Sequence, residues 1–127
     1  MKEDFVTYDL AVKLKEKGFN EPCYGYYHLN GGDDSFEFCG NDSFDFLNSL
    51  NRFRIAAPFI SQVLKWLREE TKINVNMRLY KENGWYYTIQ NYKGEPLYSQ
   101  LTNTDELYPS YEEAVLAGIE YVLNNLI

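Results

Sequence analysis

From Ile73 to Tyr80 the chain alternates, with Ile73, Val75, Met77 and Leu79 separated by Asn74, Asn76, Arg78 and Tyr80. A period of two belongs to a strand with one buried face. Asn83-Gly84 marks a hairpin after it. A two-residue loop would set Leu79 against Thr88 and Met77 against Gln90, placing polar side chains on the core face. A three-residue loop, Glu82-Asn83-Gly84 with the glycine left-handed, instead pairs Leu79 with Tyr87 and Met77 with Ile89, and is the register expected. The turn at Lys93-Gly94 then leads into a third strand through Leu97 to Leu101.

Helical spacing appears three times. Thr7 is placed to cap a helix carrying Leu10, Ala11 and Leu14, with Gly18 as its stop. Pro58 suits the first position of a second, whose stripe is Ile60, Val63, Leu64 and Leu67, broadened by Phe59 and Trp66. Ser110 and Glu113 form a capping box before Val115, Ile119, Val122 and Leu126.

Cys23 to Tyr27 reads as an aromatic strand in which Gly25 signals a bulge or a close contact. Residues 28–50 hold five carboxylates and no Lys or Arg. They repeat one phrase, Asp34-Ser35-Phe36-Glu37-Phe38 and Asp42-Ser43-Phe44-Asp45-Phe46. Alternating Phe and acid suits either two short strands with the rings on one face or a mobile acidic loop anchored through its aromatics, and two short strands within a loop are expected. Asp34, Phe36, Glu37, Asp42, Phe44 and Asp45 make this an acidic aromatic candidate surface, but their spacing does not meet the EF-hand pattern.

The element order predicts an α+β fold: an antiparallel meander of at least three strands with about three helices on one face. At 127 residues the chain fits one domain, with residues 28–50 as a segment or insertion in it. An apolar fraction of 45% argues against disorder. No run approaches the ~20 apolar residues of a membrane span, and the first residues lack a signal-peptide pattern, so the cytoplasm is expected. Residues 51–93 carry eight basic and three acidic side chains, whereas residues 94–127 carry six acidic and none basic. The acidic C-terminal helix is expected near the basic centre.

No catalytic constellation emerges, and no cofactor or metal site is expected. Cys23 and Cys39 read as reduced thiols, and His28 alone is short of a zinc set. Cys23 and His28 are five residues apart, a spacing that implies neither contact nor an oxyanion hole. The Gly31-Gly32 pair lacks the lysine or helix start of a phosphate loop and reads as a turn.

Binding is the remaining class. Arg78, Tyr80, Lys81, Trp85 and Tyr86 gather around the hairpin, and exposed tyrosines with Arg are what protein interfaces enrich, so a protein partner or a second copy is expected there. The helix-strand-strand-strand-helix order from Pro58 resembles double-stranded-RNA-binding domains in topology, which makes a nucleic acid or nucleotide-like anion the alternative. Glu112, Glu113 and Glu120 on the last helix oppose that alternative. A third reading is a small-ligand pocket between the acidic segment and the Trp66 helix, walled by Tyr26, Phe36 and Phe44.

Several phrases recur together: Gly18-Phe19-Asn20-Glu21-Pro22-Cys23 with Tyr26-Tyr27, Ala57-Pro58, Gln62, Trp66-Leu67-Arg68-Glu69, Trp85-Tyr86-Tyr87 and Ser110-Tyr111-Glu112-Glu113-Ala114. They resemble small uncharacterised bacteriophage and prophage proteins, a resemblance that implies a mobile-element setting and carries over no catalytic residue.

Overall fold

The computed structural model describes residues 4–39, 48, 52–82, 84–103 and 107–127. The chain divides into two compact units, residues 1–60 and 61–127.

The first unit begins with helix α1 (Tyr8–Glu16). Thr7 caps it, its hydroxyl accepting from Leu10 N at 3.4 Å. Leu10, Ala11 and Leu14 are buried. Gly18 takes φ +89°, so that Phe19 N can donate back to Leu14 O at 2.9 Å. Three antiparallel strands follow, β1 (Gly25–His28), β2 (Glu37–Phe38) and β3 (Arg54–Ala57), in the order β2-β1-β3. α1 packs on β3. Buried Asn48 bridges two segments, donating to Phe19 O and accepting from Ala56 N, each at 2.9 Å.

Two expectations change here, and one strand is unanticipated. The first strand starts at Gly25 rather than Cys23, because Gly25 is where the backbone pairs on both sides, with Phe38 and with Ala57. Strand β3 has no period-two signature, since Ile55, Ala56 and Ala57 are all buried. Pro58 is not the first residue of a helix. Its carbonyl accepts from Val6 N at 3.1 Å, and Phe59 forms a bridge with Phe5, so the helix starts two residues later.

Helix α2 (Ile60–Trp66) runs into a wider turn over Leu67–Thr71, closed by Lys72 at φ +61°. Ile60, Val63, Trp66 and Leu67 are buried. The second unit is then the expected meander: β4 (Ile73–Tyr80), β5 (Gly84–Asn91) and β6 (Pro96–Ser99), in that order in the sheet. β6 is shorter than expected because Gln100 opens a one-turn helix, α3 (Gln100–Asn103). The fold is α+β, completed by helix α4 (Tyr111–Asn125). Ser110 caps it, accepting from Glu113 N and donating to Glu113 Oε2, both at 3.1 Å.

The hairpin register differs from the expected one by two residues: Leu79 faces Trp85 and Met77 faces Tyr87. An even shift leaves each side chain on its face, so the buried set survives. Lys81 takes the left-handed position at φ +54°. Gly84, at φ +148°, is needed for a different reason: a Cβ there would stand 2.9 Å from Tyr108 O. Trp85 and Tyr108 exchange two backbone hydrogen bonds of 2.8 Å, continuing the pairing of β5 beyond α3. α4 crosses β4 and β5 at Gly118, where a Cβ would lie 2.7 Å from Val75 and 3.2 Å from Tyr87.

Candidate functional site

Alternation along β4 and β5 sorts the expected hairpin residues onto two faces. Arg78 lies directly across from Tyr86, with Tyr80 next along the same face. Lys81 sits over the Tyr80 ring, its Nζ 5.6 Å from the centroid. Trp85 does not join them. It faces Leu79 on the α4 side, with its ring edge-on to Tyr111 at 5.4 Å. The sequence places Trp85 beside Tyr86, and the pleat sends neighbours to opposite faces.

β4 is an edge of the sheet and pairs, among the described residues, with β5 alone. Its outer half is open: Leu79 is 56% exposed and Tyr80 40%. Edge strands present a row of backbone donors and acceptors, which natural proteins usually blunt with Pro, a bulge or repeated charge. The only charged residue within β4 is Arg78, and there is no Pro.

Under the C-terminal half of α4 an open cavity of about 280 Å³ is lined by Tyr87, Tyr108, Glu120, Tyr121 and Asn124, with Ala117 and Asn125 completing the wall. Positions 117, 120, 121, 124 and 125 share one helical face. Tyr121 is held by stacking on Tyr98 at 3.9 Å, and Tyr87 lies 6.3 Å from Tyr108. Burial first, and then the neighbouring phenols, push the Tyr87 hydroxyl far above its ordinary pKa. Sequence reading missed this cavity because its three tyrosines come from three separate segments.

The acidic segment is sewn into the first unit. Asp33 Oδ1 accepts from Tyr8 N at 2.8 Å at the start of α1, and the Tyr8 hydroxyl accepts from Asn30 N at 2.8 Å. Asp34 is exposed in the short helical turn Asp33–Ser35. Gly31 N donates to His28 O, so Gly31-Gly32 belongs to a turn. Phe36 and Phe38 share one face and both meet Phe5, which stacks on Phe59 at 4.4 Å. Asp42, Phe44 and Asp45 lie outside the described residues.

On the other face of that sheet Glu37 meets His28, Oε2 to Nε2 at 2.5 Å. Tyr26 faces Glu37 across the strands, and the Arg54 guanidinium covers its ring at 4.9 Å. The hydrogen bond from His28, followed by that from Tyr26, holds the Glu37 carboxyl below its ordinary range. This group can exchange protons, but it stands on an open sheet face, with the His28 and Glu37 side chains about half exposed. The wall offered by Tyr26 for a ligand is therefore taken up in cross-strand contacts, and Phe36 belongs to the ring cluster.

Cys23 is buried and Cys39 half-buried, both as thiols. Among the described residues no three His, Cys, Asp or Glu side chains gather as metal ligands would. No helix there is long and apolar enough to cross a membrane. No known family model, curated protein or solved structure matches the chain.

Proposed function

We propose that this chain is a small non-enzymatic interaction protein that binds another protein strand along the free edge of β4, a second copy of itself being the occupant the edge fits. The observation that carries this reading is the eight-residue edge strand whose outer half exposes Leu79 and Tyr80. Partners in an antiparallel pair share a face. A two-fold axis at Met77 would set Leu79 of one copy against Val75 of the other, and Arg78 against Asn76, with no like charges opposed. The resemblance to small phage and prophage proteins gives the proposal its setting, a mobile-element accessory in a bacterial cytoplasm.

Light scattering over a concentration series tests it. The mass is expected to rise from one chain towards two, and Leu79→Arg, at an exposed position, is expected to hold the protein at one chain without lowering its thermal midpoint. A strict monomer at all concentrations would refute the self-pairing, and turnover of phosphoester, glycan or peptide substrates would refute the non-enzymatic reading.

A second reading has one observation in its favour. Residues 60–125 run through a helix, three antiparallel strands, the one-turn α3 and a last helix, with Arg78 and Lys81 exposed on the hairpin. Nucleic acid bound there would be lost steeply as salt rises. The first turn of α4, with Glu112 and Glu113, works against that use.

A further inference from the structure

We infer that the contact of His28 with Glu37 is a pH-sensitive clasp on the edge strand β2, closed while the imidazole is protonated and loosened when it is neutral. β2 is held by little else. It is two residues long and, among the described residues, pairs with β1 through Glu37 with Tyr26 and Phe38 with Gly25, extended by a bond of 2.7 Å from Cys39 N to Tyr24 O. On the face opposite Glu37 its apolar anchor is Phe38, edge-on to Phe5 at 5.3 Å, and that side chain leaves Phe38 43% exposed. Segments with few buried apolar contacts are the first parts of a fold to open.

The remaining tie is made by side chains on the open face. Glu37 Oε2 meets His28 Nε2 at 2.5 Å, and the carboxylate also accepts from the Tyr26 phenol across the strands. A charge-assisted hydrogen bond is roughly twice as strong as a neutral one, so this tie depends on the charge of the imidazole. The groups around it keep one charge state between about pH 5 and 7.5. The Glu37 carboxyl is held low by the bond from His28 first and that from Tyr26 second, and stays ionised. Burial and then the Glu37 bond raise the Tyr26 phenol, which stays neutral. Arg54 stands across from His28 on β3 and covers the Tyr26 ring, while Lys15 of α1 donates to Arg54 O at 3.4 Å; both belong to classes that lose their proton only above about pH 10. Cys39 also acts on Tyr26, and thiols ordinarily ionise near pH ~8.5. Imidazole is the side-chain class whose charge ordinarily changes within this range.

The sign follows from the partner. A carboxylate stabilises the protonated ring, so the clasp is complete at the acid end of the range and is lost as pH rises through the ring's titration. Below the range it ends only where Glu37 takes up a proton, which its lowered pKa postpones. Arg54 opposes the imidazolium, and the His28 and Glu37 side chains are about half exposed, so the effect is modest, about two- to fivefold in the opening of β2. Loosening β2 lifts Phe38 off Phe5 and bares the aromatic cluster behind it. The clasp belongs to the first unit and does not rest on the β4 edge, so the mass measurement above does not bear on it.

His28 is the only histidine of the chain, so its ring resonance reports protonation without ambiguity. In the full chain that resonance and the amides of Glu37, Phe38 and Cys39 are followed from about pH 5 to 7.5, with water exchange of the Cys39 amide expressed as protection relative to an unstructured chain. The β2 amides are expected to shift with the midpoint of the ring, and Cys39 protection to fall about two- to fivefold as the ring loses its proton. Protection of the Ala11 amide, bonded to Thr7 O within α1, is expected to stay level, and it reports in each variant that the unit is folded. Glu37→Gln and His28→Gln, both on the open face, are expected to flatten the Cys39 profile. A ring that keeps one charge state throughout, Cys39 protection that stays level through the ring's titration, an equal fall at Ala11, or a fall that persists in both variants would each overturn the proposal.

Discussion

Glycines in this chain differ in what forces them, and single substitutions separate the reasons. At Gly25 a methyl group would stand 2.8 Å from the Phe36 ring, inside the aromatic cluster of the first unit. At Gly118 it would push α4 off Val75. Overpacking of this kind costs typically ~1–3 kcal/mol, so Gly25→Ala and Gly118→Ala are expected to lower the denaturant midpoint clearly. Gly18 has nothing within 4 Å of the added methyl but sits at φ +89°, so Gly18→Ala should cost only about 1 kcal/mol, as strain. Ionisation also acts residue by residue. Tyr27, whose hydroxyl donates to Val6 O at 2.6 Å, has its pKa pushed up to about 12, by burial first and the Asp33 charge second. A raised phenol pKa favours the folded state below the ordinary value of about 10 and loses that advantage as pH rises towards the folded value. Alkaline unfolding is therefore expected to begin above about pH 10 and to be delayed in Tyr27→Phe, which at neutral pH should be less stable by about 1 kcal/mol for the lost hydrogen bond. Glu37 runs the other way. Its lowered pKa stabilises the fold above the ordinary carboxylate range, and that contribution fades as pH falls through the folded value. An acid titration of Glu37→Gln should lack this step.

At the scale of elements, caps and periods were legible in the sequence. Thr7, Gly18 and Ser110 each do what their residue type implies, because a cap depends on two or three neighbours in the chain. Replacing Ser110 with Ala is expected to cost about 1 kcal/mol, measured by thermal melting, since Glu113 N loses its acceptor. The buried face of β4 and β5 was legible as well, and their register was not. Two registers differing by two residues bury the same side chains, so hydrophobic pattern cannot choose between them. The choice is made by one local and one distant feature: Lys81 accepts the left-handed turn position, and Gly84 lets the Tyr108 carbonyl approach. β3 was illegible for a related reason. Its three consecutive buried residues and a β1 partner 30 positions away, as in the Tyr26 and Ala56 pair, leave no local signature. The candidate surfaces divide along the same line. Arg78, Tyr80 and Tyr86 could be read off one strand period, whereas a cavity built from Tyr87, Tyr108 and α4 exists only after the sheet and helix are assembled.

For the whole molecule, net charge decides how the competing readings can be told apart. The chain carries −7, so bringing two copies together opposes like charge over most of their surfaces, even though the β4 contact itself opposes none. Added salt screens that repulsion on a length of ~8–10 Å near physiological ionic strength. Self-pairing through β4 is therefore expected to strengthen, or at least to hold, as salt rises from low to moderate, because the edge contact is made of backbone hydrogen bonds and apolar side chains. Binding of nucleic acid at Arg78 and Lys81 must weaken over the same range through the return of counterions to the phosphates. A salt series run on one preparation, with mass read by light scattering and binding by titration of an oligonucleotide, is expected to give a rising and a falling response respectively. A dimer that dissolves on adding salt would locate self-association in charged contacts and remove it from the β4 edge.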